Sequence, residues 1–253
     1  MKVVSWNIAG CHKFEGRIED ASDYGEQDFM YFAKILRDTH ADFIGLQEAF
    51  TSVDGKVSQT EQLAQELDYK NWQNHPYGDA HYKGHNKLSL GNLHNFQLIK
   101  SYYHILPNPK VSILRPNGQT WVSFDVGFLV SVIKYQNQEI NIANCHLVPL
   151  HYFKKDFADQ EFDSVKKDLV DFALSLTSNP TILLGDFNYA DLEKVAPNLF
   201  SAGYKDAFTN TETAPGKGQQ DHIIFSNHWT LDDWKVQKHE ADHYLCEADL
   251  NLK

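Results

Sequence analysis

The most constraining feature of this chain is a repeated pattern in which an apolar run ends on a hydrogen-bonding or ionisable side chain. The pattern occurs at WN (6–7), QE (47–48), CH (145–146), GDFN (185–188), DH (221–222) and ADH (241–243). Because the strands of one sheet end along common edges, residues at six such ends can converge on one cleft. The sequence therefore predicts one site that gathers carboxylates, carboxamides and histidines.

Secondary structure can be predicted from the apolar periodicity. Segments rich in β-branched and aromatic residues predict strands at 3–9, 43–49, 88–99, 122–133, 140–148, 181–187, 221–226 and 244–252. A period of 3.6 residues predicts helices whose apolar faces span 29–36, 63–67 and 162–176, the second preceded by a capping box at 58–61. Strands outnumber helices by more than two to one. This ratio favours a mixed α/β (α+β) sandwich.

The length of 253 residues and a hydrophobic content of 42% are sufficient to fill a sizeable core. No Pro-, Ser- or Gly-rich linker divides the chain, so we expect a single domain that spans residues 1–253. We further expect this domain to be a monomer.

The residue types at the strand ends indicate a site for a hard cation. Carboxylate and amide oxygens suit Mg²⁺ or Mn²⁺, which leave coordination positions for water and phosphate. Clustered carboxylates repel one another unless a divalent ion or imidazolium groups offset their charge. The cysteines, Cys11, Cys145 and Cys246, are odd in number and show no CxxC spacing, so zinc and a disulfide framework are both disfavoured.

Charge and hydropathy limit the classes of partner. The chain has 34 acidic and 23 basic residues and a net charge of −11, which disfavours non-specific tracking along duplex DNA. A divalent cation can invert that balance locally, so a nucleic-acid substrate stays open. There is no signal-peptide pattern and no apolar run of about 18 residues, which predicts a cytoplasmic protein without membrane insertion.

Six segments carry a resemblance to a known family. In this order, SWNIAG, IGLQEA, NCHL, ILLGDFN, DHIIF and ADHYL resemble the motifs of the endonuclease/exonuclease/phosphatase superfamily, the DNase I-like metal-dependent phosphoesterases. One such motif arises often by chance, whereas six in the same order are specific. The resemblance spans Asn7 to Leu245 and implies a four-layer sandwich, in which two packed mixed β-sheets are flanked by helices and the site lies at one end.

The resemblance also implies a metal centre. Glu48 resembles the principal ligand of the family's Mg²⁺ (or Mn²⁺), and Asn7 and Asp242 lie beside it in the family pattern. The cation would polarise a non-bridging phosphate oxygen and steady the leaving alkoxide.

The remaining motif residues resemble the catalytic groups of the family. Asp186 and Asn188 correspond to the pair that positions the attacking water and holds a phosphate oxygen. His243 resembles the general base, oriented by Asp221, and His146 resembles the histidine that hydrogen-bonds the phosphoryl group. The resemblance implies in-line attack of water on phosphorus, with either His243 or Asp186 as the proton acceptor.

Some positions depart from the family pattern and leave the subfamily open. GNLHN at 91–95 stands where the family often has a GNAIL-like sequence. The helix after the His motif lacks an Arg, and Ala241 stands where Ser is usual. Aromatic residues off the motifs, at 72–82, 102–103, 121 and 151–153, either pack in the core and loops or form a wall that stacks on a base, sugar or lipid headgroup.

Three functions are compatible with these residues. The first is a Mg²⁺-dependent phosphodiesterase that acts on a phosphate-ester substrate, a nucleic acid or a nucleotide-like ester. The second is a phosphomonoesterase or phospholipid-type phosphodiesterase, similar to inositol-phosphate phosphatases or sphingomyelinases. The third, a non-catalytic binding module of the same fold, is disfavoured because the ligand and base residues are all present.

Overall fold

The computed structural model describes residues 1–14, 16, 24–81, 86–114, 118 and 120–253. The strands of this part of the chain are β1 (Lys2–Asn7), β2 (His12–Phe14), β3 (Tyr24–Gln27), β4 (Phe43–Ser52), β5 (Asn71–Asp79), β6 (Asn86–His94), β7 (Gln97–Ile105), β8 (Ser112–Leu114), β9 (Thr120–Val122), β10 (Gly127–Tyr135), β11 (Gln138–His146), β12 (Thr181–Asp186), β13 (Lys205–Asp206), β14 (Asp221–Phe225), β15 (Trp229–Gln237) and β16 (Leu245–Leu252). The α-helices are α1 (Phe29–Thr39), α2 (Gln59–Glu66), α3 (Asp163–Ser175), α4 (Leu192–Val195) and α5 (Pro197–Ser201). Short 3₁₀ turns occupy Ala9–Cys11, Leu150–Phe153 and Gln160–Phe162.

Two six-stranded mixed sheets form the centre of the molecule. The first sheet has the order β15-β16-β1-β4-β6-β5, and the second has the order β13-β14-β12-β11-β10-β7. In each sheet one central pair is parallel, β1 with β4 and β11 with β12, and the other pairs are antiparallel. The two sheets therefore share one topological plan.

Burial on both faces explains why the central strands read as continuous apolar runs. In β1, Val3 packs between the sheets, whereas Val4 and Trp6 on the other face pack against α1 and α2. In β12, Ile182 points between the sheets and Leu183 packs in the cluster that includes α3 and α5. The result is four layers, helix, sheet, sheet and helix, which confirms the predicted four-layer sandwich.

The three predicted helices are confirmed as α1, α2 and α3. At the start of α2, the Ser58 hydroxyl accepts a hydrogen bond from the Glu61 amide at 3.4 Å, as the capping pattern predicts. Helix α1 is followed by His40, whose φ of 50° is left-handed. None of the helices in the described ranges is long and apolar enough to cross a membrane.

Two of the predicted strand boundaries are wrong. The segment 88–99 contains parts of two strands, β6 and β7. They are separated by a turn at Asn95 and Phe96 and belong to different sheets. The segment 122–133 begins in the short β9, and its main strand starts only at Gly127. An apolar run in the sequence does not show where the chain leaves one sheet for the other.

A buried polar network joins the two sheets. Asn144 of β11 donates from its Nδ2 to the carbonyls of Leu46 and Gly91, both at 3.0 Å, and to Asn92 Oδ1 at 3.1 Å. Its Oδ1 accepts from Gln47 Nε2 at 2.7 Å. The side chain of Asn144 is fully buried, so these bonds have no water to replace them.

We expect Asn144→Ala to lower the free energy of unfolding by about 2–4 kcal/mol, because it leaves buried carbonyl and amide groups without partners. Urea denaturation followed by circular dichroism measures this change. The exposed Asn198→Ala in α5 is the control and should stay within about 0.5 kcal/mol of the parent protein. Equal midpoints for both variants would contradict the bridging role of Asn144.

Candidate active site

The strand ends predicted to converge do meet at one edge of the sandwich. In the first sheet, Asn7 of β1 pairs with Gln47 of β4, directly before Glu48. In the second sheet, Asp186 of β12 pairs with His146 of β11 on one side and with Asp221 of β14 on the other. The remaining motif residues, Asn188, Asp242 and His243, lie in the segments that follow β12 and precede β16.

Asp186 lies at the centre of the contacts that hold this site together. Its Oδ2 accepts a hydrogen bond from Asn7 Nδ2 at 3.1 Å and lies 3.5 Å from the Nε2 atoms of both His146 and His243. Its Oδ1 accepts the backbone N–H of Asn188 at 2.9 Å. Burial alone would raise the pKa of Asp186, but the two imidazoles and these hydrogen bonds lower it below its usual value. The carboxylate is therefore ionised at neutral pH.

His243 is held between two carboxylates. Its Nδ1 is hydrogen-bonded to Asp221 Oδ2 at 2.8 Å, which leaves Nε2 to face Asp186. Burial would lower the pKa of His243, but Asp221 and Asp186 outweigh it and raise this pKa to about 10. The imidazole is therefore mostly protonated at neutral pH, and it can accept a proton at Nε2 only while it is neutral. The backbone of His243 is fixed by Trp6, whose Nε1 donates to its carbonyl at 2.9 Å.

Glu48 lies in a strained stretch of backbone. The pairing of β4 with β6 is interrupted by a bulge between Leu46 and Ala49, and Glu48 there has a left-handed φ of 53°. The bulge aims a carboxylate that is only 8% exposed into the cleft, where Oε1 lies 3.8 Å from His146 Nε2. Burial raises the pKa of Glu48 to about 7, and the charge of Asp242 adds to this effect while His146 opposes it.

Glu48 and Asp242 each carry a carboxylate oxygen of the kind that binds divalent cations. Each has one buried oxygen without a hydrogen bond in the described part of the chain, Glu48 Oε2 and Asp242 Oδ1. The other oxygen of Asp242, Oδ2, accepts the Tyr24 hydroxyl at 2.7 Å. Glu48 Oε2 also lies 3.9 Å from His81 Nε2. Carboxylate oxygens are the donors that Mg²⁺ or Mn²⁺ prefers.

Asn7 lies next to this pair, but its amide is already in use. Its Oδ1 accepts the Ala9 amide at 3.1 Å and its Nδ2 donates to Asp186. A carbonyl oxygen keeps a second lone pair, and the role of Asn7 as a ligand stays a prediction. A separate tight group, Asp186, Asp221 and His243, has its ligating atoms within 4.8 Å of one another, although the hydrogen bond between Asp221 and His243 engages two of them.

His146 has a partner that the sequence analysis did not assign. The Tyr77 hydroxyl lies 2.7 Å from His146 Nδ1, and Nε2 faces the carboxylates of Asp186 and Glu48. With Nε2 between two carboxylates, the ring proton belongs on Nε2 and Tyr77 donates to Nδ1. The sequence analysis included Tyr77 in the aromatic cluster at 72–82 but did not predict its contact with His146. Tyr82 of that cluster lies outside the described residues.

Asn188 follows Asp186 in an Asx turn with a left-handed φ of 51°. Its Nδ2 donates to the Leu147 carbonyl at 3.0 Å, which ties the GDFN turn to the chain after β11. The second amide hydrogen remains available for a phosphate oxygen.

His222, the neighbour of Asp221 in the sequence, makes structural contacts and does not join the candidate site. Its Nδ1 contacts Asp206 Oδ2 at 2.5 Å and its Nε2 contacts the Tyr189 carbonyl at 2.8 Å. The ring is buried and both nitrogens are engaged, so it serves as a structural tie within the second sheet.

Comparison with known proteins gives one sequence match and several structural ones. The sequence model described as the Endonuclease/Exonuclease/phosphatase family matches residues 4–243. No curated protein matches the chain.

Three solved structures illustrate the similarity of fold. An endonuclease/exonuclease/phosphatase from Beutenbergia cavernae DSM 12333 superposes with a TM-score of 0.74 at 15% identity, covering 100% of this chain and 71% of that chain. The human nocturnin catalytic domain with a bound sulfate anion gives 0.66 at 18%, covering 100% and 94%. The mannosyl-6-phosphatase from Bacteroides thetaiotaomicron VPI-5482 gives 0.62 at 14%, covering 100% of both chains. At such identities the structural matches establish a DNase I-like fold and leave the substrate open.

Proposed function

Because the chain belongs to the endonuclease/exonuclease/phosphatase family, we propose that it is a Mg²⁺-dependent phosphoesterase that hydrolyses a phosphodiester by in-line attack of water. Members of this family are hydrolases that act on phosphate esters. The substrate we propose is a nucleic acid or a nucleotide-like ester.

The observation that carries this proposal is the pair of buried carboxylate oxygens without hydrogen bonds, Glu48 Oε2 and Asp242 Oδ1. An ionised carboxylate in a buried site is costly unless a positive charge compensates it. Asp186 Oδ2 and His243 Nε2 lie 3.5 Å apart, and His243 directly follows Asp242 in the chain. The site thus combines a place for a cation with a place for proton transfer.

A divalent cation held by Glu48 and Asp242, with Asn7 beside them, would polarise the phosphoryl group and favour its transition-state charge. The protein supplies the rest of the reaction. Asp186 orients the attacking water, whose oxygen forms a bond to phosphorus while the bond to the leaving oxygen breaks. We assign the water proton to Nε2 of the neutral form of His243, whose population increases as the pH rises toward the raised pKa of this imidazole. Asp186 is the weaker base, because its pKa is lowered.

His146 and Asn188 stabilise the charge that develops on the phosphoryl oxygens. His146 presents Nε2–H toward the cleft, and Tyr77 fixes that tautomer. Asn188 presents its remaining amide hydrogen from a turn that leaves it little rotamer freedom. Donors that are already oriented need no reorganisation when the charge appears.

The three cysteines, Cys11, Cys145 and Cys246, are buried and unpaired. Free thiols of this kind support a reducing compartment, and we propose the cytoplasm as the location. We also propose that the chain acts as a single-domain monomer.

The test of the metal centre is Glu48→Gln. We expect Mg²⁺ at a tenfold excess over its dissociation constant to raise the Tm of the parent protein by about 3–6 °C, and we expect this rise to vanish in the variant. Without the cation, the variant should be at least as stable as the parent, because a neutral amide avoids the cost of burying the Glu48 carboxylate. Differential scanning calorimetry with and without Mg²⁺ measures both effects.

Glu193→Gln, an exposed substitution in α4, is the matched control and should keep the full Mg²⁺ response. In parallel, chelation should abolish the hydrolysis of a bis-aryl phosphodiester, and Mg²⁺ or Mn²⁺ should restore it. Full hydrolysis in excess chelator would refute the metal mechanism.

A further inference from the structure

A tight turn between β13 and β14 carries a lysine to the edge of the site. The turn is closed by a β-bridge between Ala214 and Gly218 and by a hydrogen bond from the Lys217 amide to the Ala214 carbonyl at 3.1 Å. Gly216 and Gly218 flank Lys217 with φ of 71° and 73°, values that favour glycine. The backbone that presents Lys217 is therefore defined by these two residues.

The same turn is hydrogen-bonded to the segment that begins with Asp221 and to the segment that follows His243. The Thr213 hydroxyl accepts the backbone N–H groups of Gln220 and Asp221, at 2.8 and 2.9 Å. The Thr213 carbonyl accepts the Tyr244 amide at 2.6 Å, directly after His243. The position of Lys217 is thus fixed relative to the pair of Asp221 and His243.

The side chain of Lys217 packs against Tyr152. Its Nζ donates to the Tyr152 hydroxyl at 2.8 Å and lies 5.0 Å from the centre of that ring. Burial would lower the pKa of Lys217, but Tyr152 and the carboxylates of Asp242 and Asp186 raise it above its usual value. The ammonium is therefore a cation within electrostatic reach of the catalytic carboxylates.

Tyr152 belongs to a different segment of the chain from Lys217. It belongs to the 3₁₀ turn Leu150–Phe153, which follows His146 at the end of β11, and 38% of its surface is exposed. The pair of Lys217 and Tyr152 therefore links the segment after β11 to the segment before β14. The two residues are thus carried by chain segments that are tied to His146 and to the pair of Asp221 and His243.

No described carboxylate forms a direct ion pair with Lys217, which is unusual for a half-buried lysine in a protein of net charge −11. One of the three ammonium hydrogens bonds Tyr152 and the other two remain available as donors. A half-buried cation with free donors beside a phosphoryl site suits an anionic group of the ligand.

We propose that Lys217 and Tyr152 form an anion subsite that binds a second phosphate of the substrate, next to the phosphoryl group that is hydrolysed. The subsite rests on the proposed function, since the first phosphoryl group must occupy the site of His146 and His243. The substrate class it selects is a phosphodiester with a neighbouring phosphate, as in an oligonucleotide or a nucleotide with two phosphates.

The test compares the thymidine dinucleotide TpT with pTpT and TpTp, which differ from it only by a terminal phosphate. We expect the protein with Mg²⁺ to cleave the internal phosphodiester of one of the two phosphorylated forms with a kcat/KM about 10- to 100-fold higher than that of TpT, the range of a charge-assisted hydrogen bond. Product chromatography separates internal cleavage from loss of the terminal phosphate.

Variants assign the preference to the subsite. Lys217→Met should reduce the ratio of the two kcat/KM values to about one, Lys217→Arg should keep most of it, and Tyr152→Phe should lower it in part. Lys100→Met is the matched control, because Lys100 also lies over a tyrosine ring, 5.3 Å from Tyr102, on a strand remote from the site. It should keep the full ratio.

The outcomes distinguish the subsite from the proposed function. If none of the three dinucleotides is cleaved with Mg²⁺ or Mn²⁺, the phosphodiesterase proposal fails for this substrate class and the subsite fails with it. If TpT is cleaved and neither terminal phosphate raises kcat/KM, or if the preference survives in Lys217→Met, the subsite alone is overturned. A true subsite should also lose part of its preference when NaCl is raised, because salt screens the ammonium.

Discussion

Asp186→Asn is expected to lower kcat by about 10³-fold, with a much smaller change in KM. The substitution keeps the shape of the side chain but removes the negative charge that lies 3.5 Å from both catalytic imidazoles and accepts from Asn7. Because the carboxylate acts on the attacking water rather than on the bound phosphate, the loss should fall on the chemical step. Steady-state and single-turnover kinetics with saturating Mg²⁺ measure kcat and the chemical step separately.

Asp191→Asn is the matched control for this variant. Asp191 lies five residues further along, is exposed, and caps α4 by accepting the Lys194 amide at 3.1 Å, a role that Asn performs equally well. Its kcat should stay within about twofold of the parent. Turnover of Asp186→Asn at the same level as this control would remove Asp186 from the mechanism.

The pH dependence of kcat/KM should report the pair of His243 and Asp221. A general base must be neutral to accept a proton, so the rate falls on the acid side of its pKa. Asp221 and Asp186 favour the charged imidazole and raise this pKa, so the acid limb should lie above the ordinary value of about 6.5. Asp221→Asn removes one of these charges and should move the limb to lower pH by about 1–3 units while lowering the plateau.

His243→Ala should lose the limb and lower kcat/KM by about 10²–10⁴-fold. Asp206→Asn is the control for Asp221→Asn, because Asp206 forms a second buried carboxylate–imidazole pair, with His222, that does not contact Asp186. It should leave the limb in place even if the protein becomes less stable. A limb that stays where it is in Asp221→Asn, at an unchanged plateau, would show that Asp221 does not orient the base.

The convergence of the site was predictable because strand geometry is local. Residues such as Asn7, His146 and Asp186 terminate strands whose apolar runs are buried on both faces, so the sequence shows where each strand ends. The structure brings these residues together at one edge, as expected, and their catalytic roles stay predictions. The four-layer sandwich was predicted from the motif resemblance rather than from the strand count.

Two long strands could not be predicted because they lie at sheet edges. Asn71–Asp79 and Trp229–Gln237 form β5 and β15, each with a neighbour on one side only, and many of their side chains are exposed. A strand that faces solvent has no need for a continuous apolar run, so its sequence resembles a loop. Contacts between distant segments were equally inaccessible, since Tyr77 meets His146 across 69 positions and Tyr24 meets Asp242 across 218.

The left-handed backbone at Glu48 and Asn188, with φ of 53° and 51°, also bears on how this protein would respond to artificial selection. At Glu48 this conformation costs about 1–2 kcal/mol relative to glycine and a buried charge adds to the cost, whereas Asn188 is of the residue type that tolerates it best. A library screened only for survival after heating would therefore enrich Gly and neutral residues at position 48 and leave Asn at position 188. The variants at position 48 would be lost from a library screened for turnover, so the two screens should diverge there.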